Sequence, residues 1–249
     1  MGNLRGLAGQ VERGSIPGAR LPCWIATRTV LLATGCLADQ CLDGTAVREL
    51  LETLALDRVL LVAREHAEPS RLKGLPVEAV RVPLADVARG VELARAAGAR
   101  RLVLELPAKA DLESACRRLF ALSRAHPGLA LTVLTPAAGP LAAADALGLL
   151  FEDLASQEIG YWHRPAQVQA LGADEVVWLD RLGAHLVGAS IDDLAAGELG
   201  LPPGLGELDL ARCAALLGRR VDAALDTDPL PEPALLGAAL ASLRAAGFS

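Results

Sequence analysis

Short apolar segments rich in Val and Leu alternate with longer amphipathic segments from about residue 21 to the C-terminus. This alternation is typical of strands and helices arranged around a parallel sheet. Eight strands are predicted, at residues 24–33, 58–63, 77–83, 101–106, 129–134, 159–163, 185–191 and 220–225. Helices are predicted at 45–56, 87–97, 111–125, 144–155, 175–182, 210–217 and 233–246, with Asp86 and Asp209 at N-cap positions and Gly98 closing the second helix.

Eight strand-helix repeats favour a closed barrel. The chain has 249 residues, and a single (β/α)8 barrel typically has about 250. An open doubly wound sheet is the alternative, but the first strand-to-helix turn, TGCLADQ, lacks GxGxxG, and no GxxxxGK[ST] occurs anywhere. The prediction is an α/β protein with one (β/α)8 TIM barrel over residues 21–249, preceded by a flexible arm at 1–20.

Composition and charge limit the partners. Hydrophobic residues make up 52% of the chain and charged residues 22%, which is enough for a sizeable core. The net charge is −6, with Lys73 and Lys109 as the only lysines and no basic run, so nucleic acid and anionic membranes are not expected partners. A small-molecule ligand is expected, and a homo-oligomer stays open.

The chain is expected to be a bacterial cytoplasmic protein. Charged residues, Gly or Pro interrupt every apolar run before the roughly 20 residues that a membrane span needs, and the N-terminus lacks the apolar core of a secretory signal. Five cysteines, an odd number without CxxC spacing, are typical of reduced thiols. A low lysine count beside many Ala, Leu and Arg is typical of a GC-rich genome.

Polar side chains follow most of the predicted strands, where a barrel builds its active site. They are Arg64, Glu65 and His66; Glu105 and Lys109; Thr135; His163 and Arg164; Ser190, Asp192 and Asp193; Asp226 and Asp228. The sequence therefore predicts a rim rich in titratable groups.

Three segments carry a resemblance to a known family. GYWHRPAQ, ASIDDL and PPGLGELDL together resemble the xylose isomerase-like TIM-barrel family of sugar and sugar-phosphate isomerases and epimerases. There the sixth strand typically reads W-D-x-G-H-A, the seventh H-L-K-D, and the next loop P-G-x-G-x-x-D. The alternation of strands and helices resembles that of the family over most of the chain, whereas specific residues match the family only between Tyr161 and Asp209.

The resemblance implies a divalent metal, but nearly every ligand position differs. Thr135 matches the family's Glu after strand five, His163 its Asp after strand six, and Ala166 the His of its G-H pair. Ser190 matches the strand-seven His, and Asp226 stands in place of the strand-eight Glu. Because hydroxyls are weak substitutes for carboxylates, no metal ligands and no cofactor are assigned. A site for Mn²⁺ or Mg²⁺ rebuilt from Glu105, His163, Asp192 and Asp226 is the alternative.

Each candidate also has a structural interpretation. His163 can be hydrogen-bonded to a neighbour, and Asp193, which matches the family's Asp after strand seven, can satisfy loop amides. Of Tyr161 and Trp162, which lie on opposite faces of a strand, one should fill the barrel and the other pack under a helix, with sugar stacking on Trp162 as the alternative. Glu105 can pair with Lys109.

The functional hypothesis is a divergent sugar isomerase or epimerase-like barrel that binds a small polyhydroxylated or anionic metabolite at its C-terminal mouth, with the family metal site lost. The expected catalytic residues are Glu105, His163 and Asp226. The expected substrate-binding residues are Arg64, His66, Trp162, Arg164, Ser190 and Asp193. The alternative is a non-catalytic relative that binds a ligand or partner through the same barrel.

Overall fold

The strands form one closed barrel in the computed structural model, which describes residues 30–33, 44–63, 69–72, 74–218, 221–227 and 232–248. The strands are β1 (Val30–Ala33), β2 (Val59–Val62), β3 (Val77–Pro83), β4 (Arg101–Glu105), β5 (Ala130–Leu134), β6 (Gly160–His163), β7 (Leu186–Ile191), β8 (Asp193–Ala195), β9 (Glu198–Leu201) and β10 (Asp222–Leu225). Eight of them pair in parallel around the barrel in the order β1-β10-β7-β6-β5-β4-β3-β2. The predicted (β/α)8 barrel is confirmed, and the open-sheet alternative is wrong.

The helices follow the strands on the outside of the barrel. They are α1 (Gly44–Leu54), α2 (Val87–Ala97), α3 (Leu112–Ala125), α4 (Ala144–Asp153), α5 (Pro165–Ala170), α6 (Glu175–Leu182), α7 (Leu210–Leu217) and α8 (Pro233–Ala245). Gly98 ends α2 in the left-handed conformation at φ 72°, and the Asp209 side chain accepts a hydrogen bond from the backbone N–H of Arg212 at the start of α7. Asp86 does precede α2, but its side chain makes no capping hydrogen bond.

Alternating strand residues build two separate apolar layers. Residues facing the interior, among them Leu31, Leu60, Val103 and Trp162, form a small cluster inside the barrel. Their sequence neighbours face outward and form the large core beneath the helices, which includes Tyr161. The expected division of Trp162 and Tyr161 between the barrel interior and the helix layer is therefore confirmed.

The Trp162 ring occupies space that a glycine leaves free. A Cβ on Gly188 of the neighbouring β7 would lie 2.3 Å from the ring. Trp162 is 1% exposed, and its Nε1 donates a hydrogen bond to Ser190 Oγ at 3.1 Å. The barrel interior is therefore a packed core beneath the mouth, as in other barrels of this architecture.

Strands β8 and β9 form an antiparallel hairpin between β7 and α7, where no strand was predicted. Ala196 and Gly197 lie at the turn with φ of 51° and 83°. Two consecutive positive φ values are typical of a type I′ turn, which sequences usually mark with Asn-Gly. Because Ala takes the first position here, the hairpin gives little sequence signal.

Several predicted features lie outside the described residues. They are the arm at 1–20, Arg64, Glu65, His66, Asp228 and the cysteines Cys23, Cys36 and Cys41. In the part of the chain that is described, no helix is both long and apolar enough to cross a membrane.

Candidate active site at the barrel mouth

A buried ion-pair cluster lies at the C-terminal ends of β3, β4 and β10. Arg81 of β3 is 8% exposed and lies between two carboxylates. Its Nε is 3.0 Å from Glu105 Oε1 at the end of β4, although this N–H is not aligned for a hydrogen bond. Its Nη1 donates a hydrogen bond to Asp226 Oδ2, directly after β10. Glu105 is the more open member, with 39% of its side chain exposed.

Asp226 is held as a carboxylate at the centre of this cluster. Burial acts to raise its pKa, but the charges of Arg81 and Arg164 and hydrogen bonds from Arg81 and Ser190 outweigh it, so the pKa is below the ordinary value. Ser190 therefore links Asp226 to Trp162 of the core.

A second arginine-carboxylate pair lies beside the first. Arg164, directly after β6, donates from Nε to Asp192 Oδ1 at 3.0 Å and from Nη2 to Asp192 Oδ2 at 2.7 Å. Such bidentate pairing fixes the plane of the guanidinium. The backbone N–H of Gly200 in β9 also donates to Asp192 Oδ2, at 2.9 Å. The hairpin is thereby tied to the mouth.

The environment shifts the pKa of Asp192 in the opposite direction. Burial raises it, the nearby charge of Asp226 adds to this, and Arg164 offsets only part of the effect. The mouth therefore holds two buried carboxylates, Asp192 and Asp226, whose pKa values are displaced in opposite directions.

Asp193 organises the loop that follows β7. Its carboxylate accepts backbone hydrogen bonds, each of 2.9 Å, from Leu194, Gly204, Gly206 and Leu208. A Cβ on Gly206 would lie 2.4 Å from Asp193 Oδ1, so a glycine is needed for this close approach. These contacts match the loop-amide alternative, and a role of Asp193 at a substrate stays a prediction.

His163 lies on the opposite face of β6 from Trp162, beneath the helices. It is fully buried, with Nδ1 2.8 Å from Tyr161 Oη and Nε2 3.3 Å from Glu175 Oε1. A carboxylate only accepts, so in the neutral imidazole Nε2 carries the hydrogen and Nδ1 accepts from Tyr161. Cys213 Sγ donates to the other Glu175 oxygen at 3.5 Å.

The predicted site residues thus divide into two groups. The structure brings Glu105 and Asp226 together through Arg81, with Ser190 hydrogen-bonded to Asp226 and Arg164 beside them. It does not bring His163 into this cluster. Arg64 and His66 lie outside the described residues. The Trp162 ring is almost fully buried, and its substrate-binding role stays a prediction.

Arg81, which holds the cluster together, was not among the predicted site residues. An arginine inside an apolar strand, two residues after the interior Ala79, was the available signal. Among the described residues, Glu105 pairs with this arginine, and the expected pairing with Lys109 is not formed.

The donor set does not suit the divalent metal that the resemblance implies. Thr135 Oγ1 is 2.8 Å from Tyr161 Oη and accepts from the backbone N–H of Arg164 at 2.9 Å, so it belongs to the network behind the mouth. Within the described ranges, no three His, Cys, Asp or Glu side chains are grouped so that they could hold a metal ion. The guanidiniums of Arg81 and Arg164 contact the mouth carboxylates instead.

Comparisons with known proteins find the same fold among solved structures. No family model matches the sequence, and no curated protein matches it. Among solved structures, the probable 3-DHS dehydratase AsbF of Bacillus anthracis superposes with a TM-score of 0.70 at 13% identity, over 87% of this chain and 98% of that one.

Two further structures have the same architecture. The 3-keto-D-glucoside 4-epimerase YcjR of E. coli has a TM-score of 0.67 at 12% identity, over 88% of this chain and 99% of that one. A xylose isomerase domain protein of Alicyclobacillus acidocaldarius has a TM-score of 0.61 at 17% identity, over 89% and 98%. This chain therefore has the fold of the xylose isomerase-like TIM barrels, and the resemblance seen in the sequence is confirmed at the level of the fold.

Proposed function

We propose that this barrel binds a small polyhydroxylated or anionic metabolite at its C-terminal mouth, as a divergent relative of sugar isomerases and epimerases that works without the family's metal. The observation that carries the proposal is the cluster of two arginines and three carboxylates, Arg81, Arg164, Glu105, Asp192 and Asp226, at the mouth. In barrels of this type the ligand site is built from this end of the strands.

The chemistry of the cluster fits an oxygen-rich ligand. Guanidinium N–H groups donate to carboxylate, phosphate or hydroxyl oxygens, and carboxylates accept from hydroxyls. Glu105 is 39% exposed and the Arg164 side chain 18%, so both are available at the open side of the cluster. The buried Asp192 and Asp226 hold the arginines in place.

Isomerisation or epimerisation of a sugar requires a proton to be removed and returned. Asp226, with its lowered pKa, stays ionised and suits the accepting role. Burial raises the pKa of Asp192, although both of its oxygens accept hydrogen bonds from Arg164. Neighbouring carboxyl groups whose pKa values are displaced in opposite directions are a pattern found in acid-base catalysis.

The second candidate is a non-catalytic ligand-binding barrel. It is favoured by the pairing of Asp192 and Asp226 with arginines and by hydroxyls at Thr135 and Ser190, where the family resemblance implies metal ligands. The two candidates share the binding site and differ only in turnover.

The test is calorimetric titration of a panel of pentoses, hexoses, their phosphates and sugar acids in the presence of EDTA. We expect at least one compound to bind the native chain, and Arg164→Gln to weaken it about tenfold or more, since a charged hydrogen bond contributes about 1.5–3 kcal/mol. The control is Arg117→Gln, which changes an exposed arginine of α3. Equal binding to both variants, or no binding by any compound, would contradict the proposal.

Turnover is decided with the compound that binds. Incubation in deuterated water, followed by proton NMR, detects exchange at the carbon beside the carbonyl. Exchange that is lost in Asp226→Asn supports catalysis, whereas binding without exchange supports the non-catalytic candidate.

A further inference from the structure

We infer that the guanidinium of Arg81 takes the place of a divalent cation between Glu105 and Asp226, so that removing it uncovers a metal-binding site at the mouth. The inference deepens the proposed function, because it assigns to one residue the loss of the metal that the fold's relatives lead one to expect. It rests on the same cluster as the proposed function, but its test uses a metal ion and not a metabolite.

The two carboxylates converge on a single guanidinium. Glu105 Oε1 lies 3.0 Å from Nε, and Asp226 Oδ2 contacts Nη1, which is bonded to the same carbon. Both carboxylates therefore face the same cationic group. Carboxylate oxygens are the ligands that Mg²⁺ and Mn²⁺ use, together with bound waters.

A cation at this place would supply the positive charge that Arg81 now supplies to the mouth carboxylates. Arg81 and Arg164 together carry the charge of one divalent ion, beside the three carboxylates Glu105, Asp192 and Asp226. Loss of Arg81 leaves the fully enclosed carboxylate of Asp226, 3% exposed, with its nearest counter-ion removed. An uncompensated buried charge is strongly unfavourable, so a cation that binds there gains the missing attraction.

Native Arg81 opposes metal binding for the same reason. A divalent ion between Glu105 and Asp226 would have to displace a buried guanidinium that is tied to both. Like charges in a site of low dielectric constant repel strongly. We therefore expect the native mouth to bind divalent ions no better than an ordinary acidic surface does.

The experiment measures Mn²⁺ binding by the loss of the free-ion signal in electron paramagnetic resonance. The chains compared are the native protein, Arg81→Ala, the double variant Arg81→Ala with Asp226→Asn, and the control Arg117→Ala, which removes an arginine that pairs with Glu113 at the surface of α3. We expect Arg81→Ala to bind one Mn²⁺ at least about tenfold more tightly than the native chain and the control, and the double variant to lose this gain.

Stability supplies a second readout. Arg81→Ala should melt at a lower temperature than the native chain, and Mn²⁺ should raise its melting temperature while leaving that of the native chain and the control unchanged. Arg81→Gln, which keeps hydrogen-bond donors but not the charge, should behave in the same way and serves if Arg81→Ala folds poorly.

Three results would overturn the inference: stoichiometric Mn²⁺ binding by the native chain that Asp226→Asn abolishes, no gain of binding by a folded Arg81 variant, or failure of both Arg81 variants to fold even when refolded with Mn²⁺. Failure of the proposed function is distinguishable, since the metabolite titrations use the native chain in EDTA and do not depend on any Arg81 variant.

Discussion

Replacing Asp193 tests whether this residue organises the loop after β7. Asp193→Ala removes the acceptor of four backbone hydrogen bonds, from Leu194, Gly204, Gly206 and Leu208. A hydrogen bond to a charged group contributes about 1.5–3 kcal/mol, but such contributions are not additive, and water can reach the exposed glycine amides. We therefore expect the free energy of unfolding to fall by about 3–5 kcal/mol.

The assay is urea denaturation followed by tryptophan fluorescence and circular dichroism. Asp111→Ala is the matched control, because this exposed N-cap carboxylate of α3 accepts one backbone hydrogen bond, and its loss should cost about 1 kcal/mol. Asp193→Asn should lie between the two variants, since an amide NH2 group would face backbone donors. An effect of Asp193→Ala no larger than that of Asp111→Ala would refute the loop-organising role.

Three further predictions concern packing, pH and reactivity. Gly188→Ala should lower the free energy of unfolding by about 1–3 kcal/mol and shift tryptophan emission, because the added Cβ would lie 2.3 Å from the Trp162 ring. The control is Gly183→Ala, where an added Cβ would meet nothing within 4 Å, and an equal loss of stability in both variants would contradict the prediction. The folded-state pKa of Asp226 is below its unfolded value, so the stability that its carboxylate contributes is present above the unfolded pKa, about 3.9, and is lost as pH falls through the folded pKa. Asp226→Asn should therefore make the free energy of unfolding less dependent on pH in this acid range, and an unchanged pH dependence would contradict the prediction. Burial raises the pKa of the Cys213 thiol, so iodoacetamide followed by mass spectrometry should label Cys213 only after unfolding; rapid labelling of the folded chain would contradict this.

The barrel was predictable because its signals are local. Each strand is a short apolar run, and each amphipathic segment has the helical period, so eight repeats and the chain length were enough to indicate a closed barrel. The observed β3, Val77–Pro83, and α6, Glu175–Leu182, have the predicted bounds. The hairpin of β8 and β9 was missed because Ala-Gly is a weak turn signal.

The site was predictable only in part, because strand ends indicate where the mouth is but not which way each side chain points. His163 and Arg164 are adjacent in sequence, yet His163 lies beneath the helices with Tyr161 and Glu175, while Arg164 joins Asp192 at the mouth. Side chains alternate between the two faces of a strand, so one residue of register decides the outcome. Arg81 was missed because it contacts residues far from it in sequence.

Calorimetric titration of the compound that binds most tightly, with and without EDTA, into the native chain and Arg164→Gln tests the central claim most directly. A mouth that binds its ligand through guanidinium groups should give the same dissociation constant with and without EDTA, and one about tenfold weaker or more in the variant. Binding that disappears in EDTA, or that is unchanged in Arg164→Gln, would contradict the account.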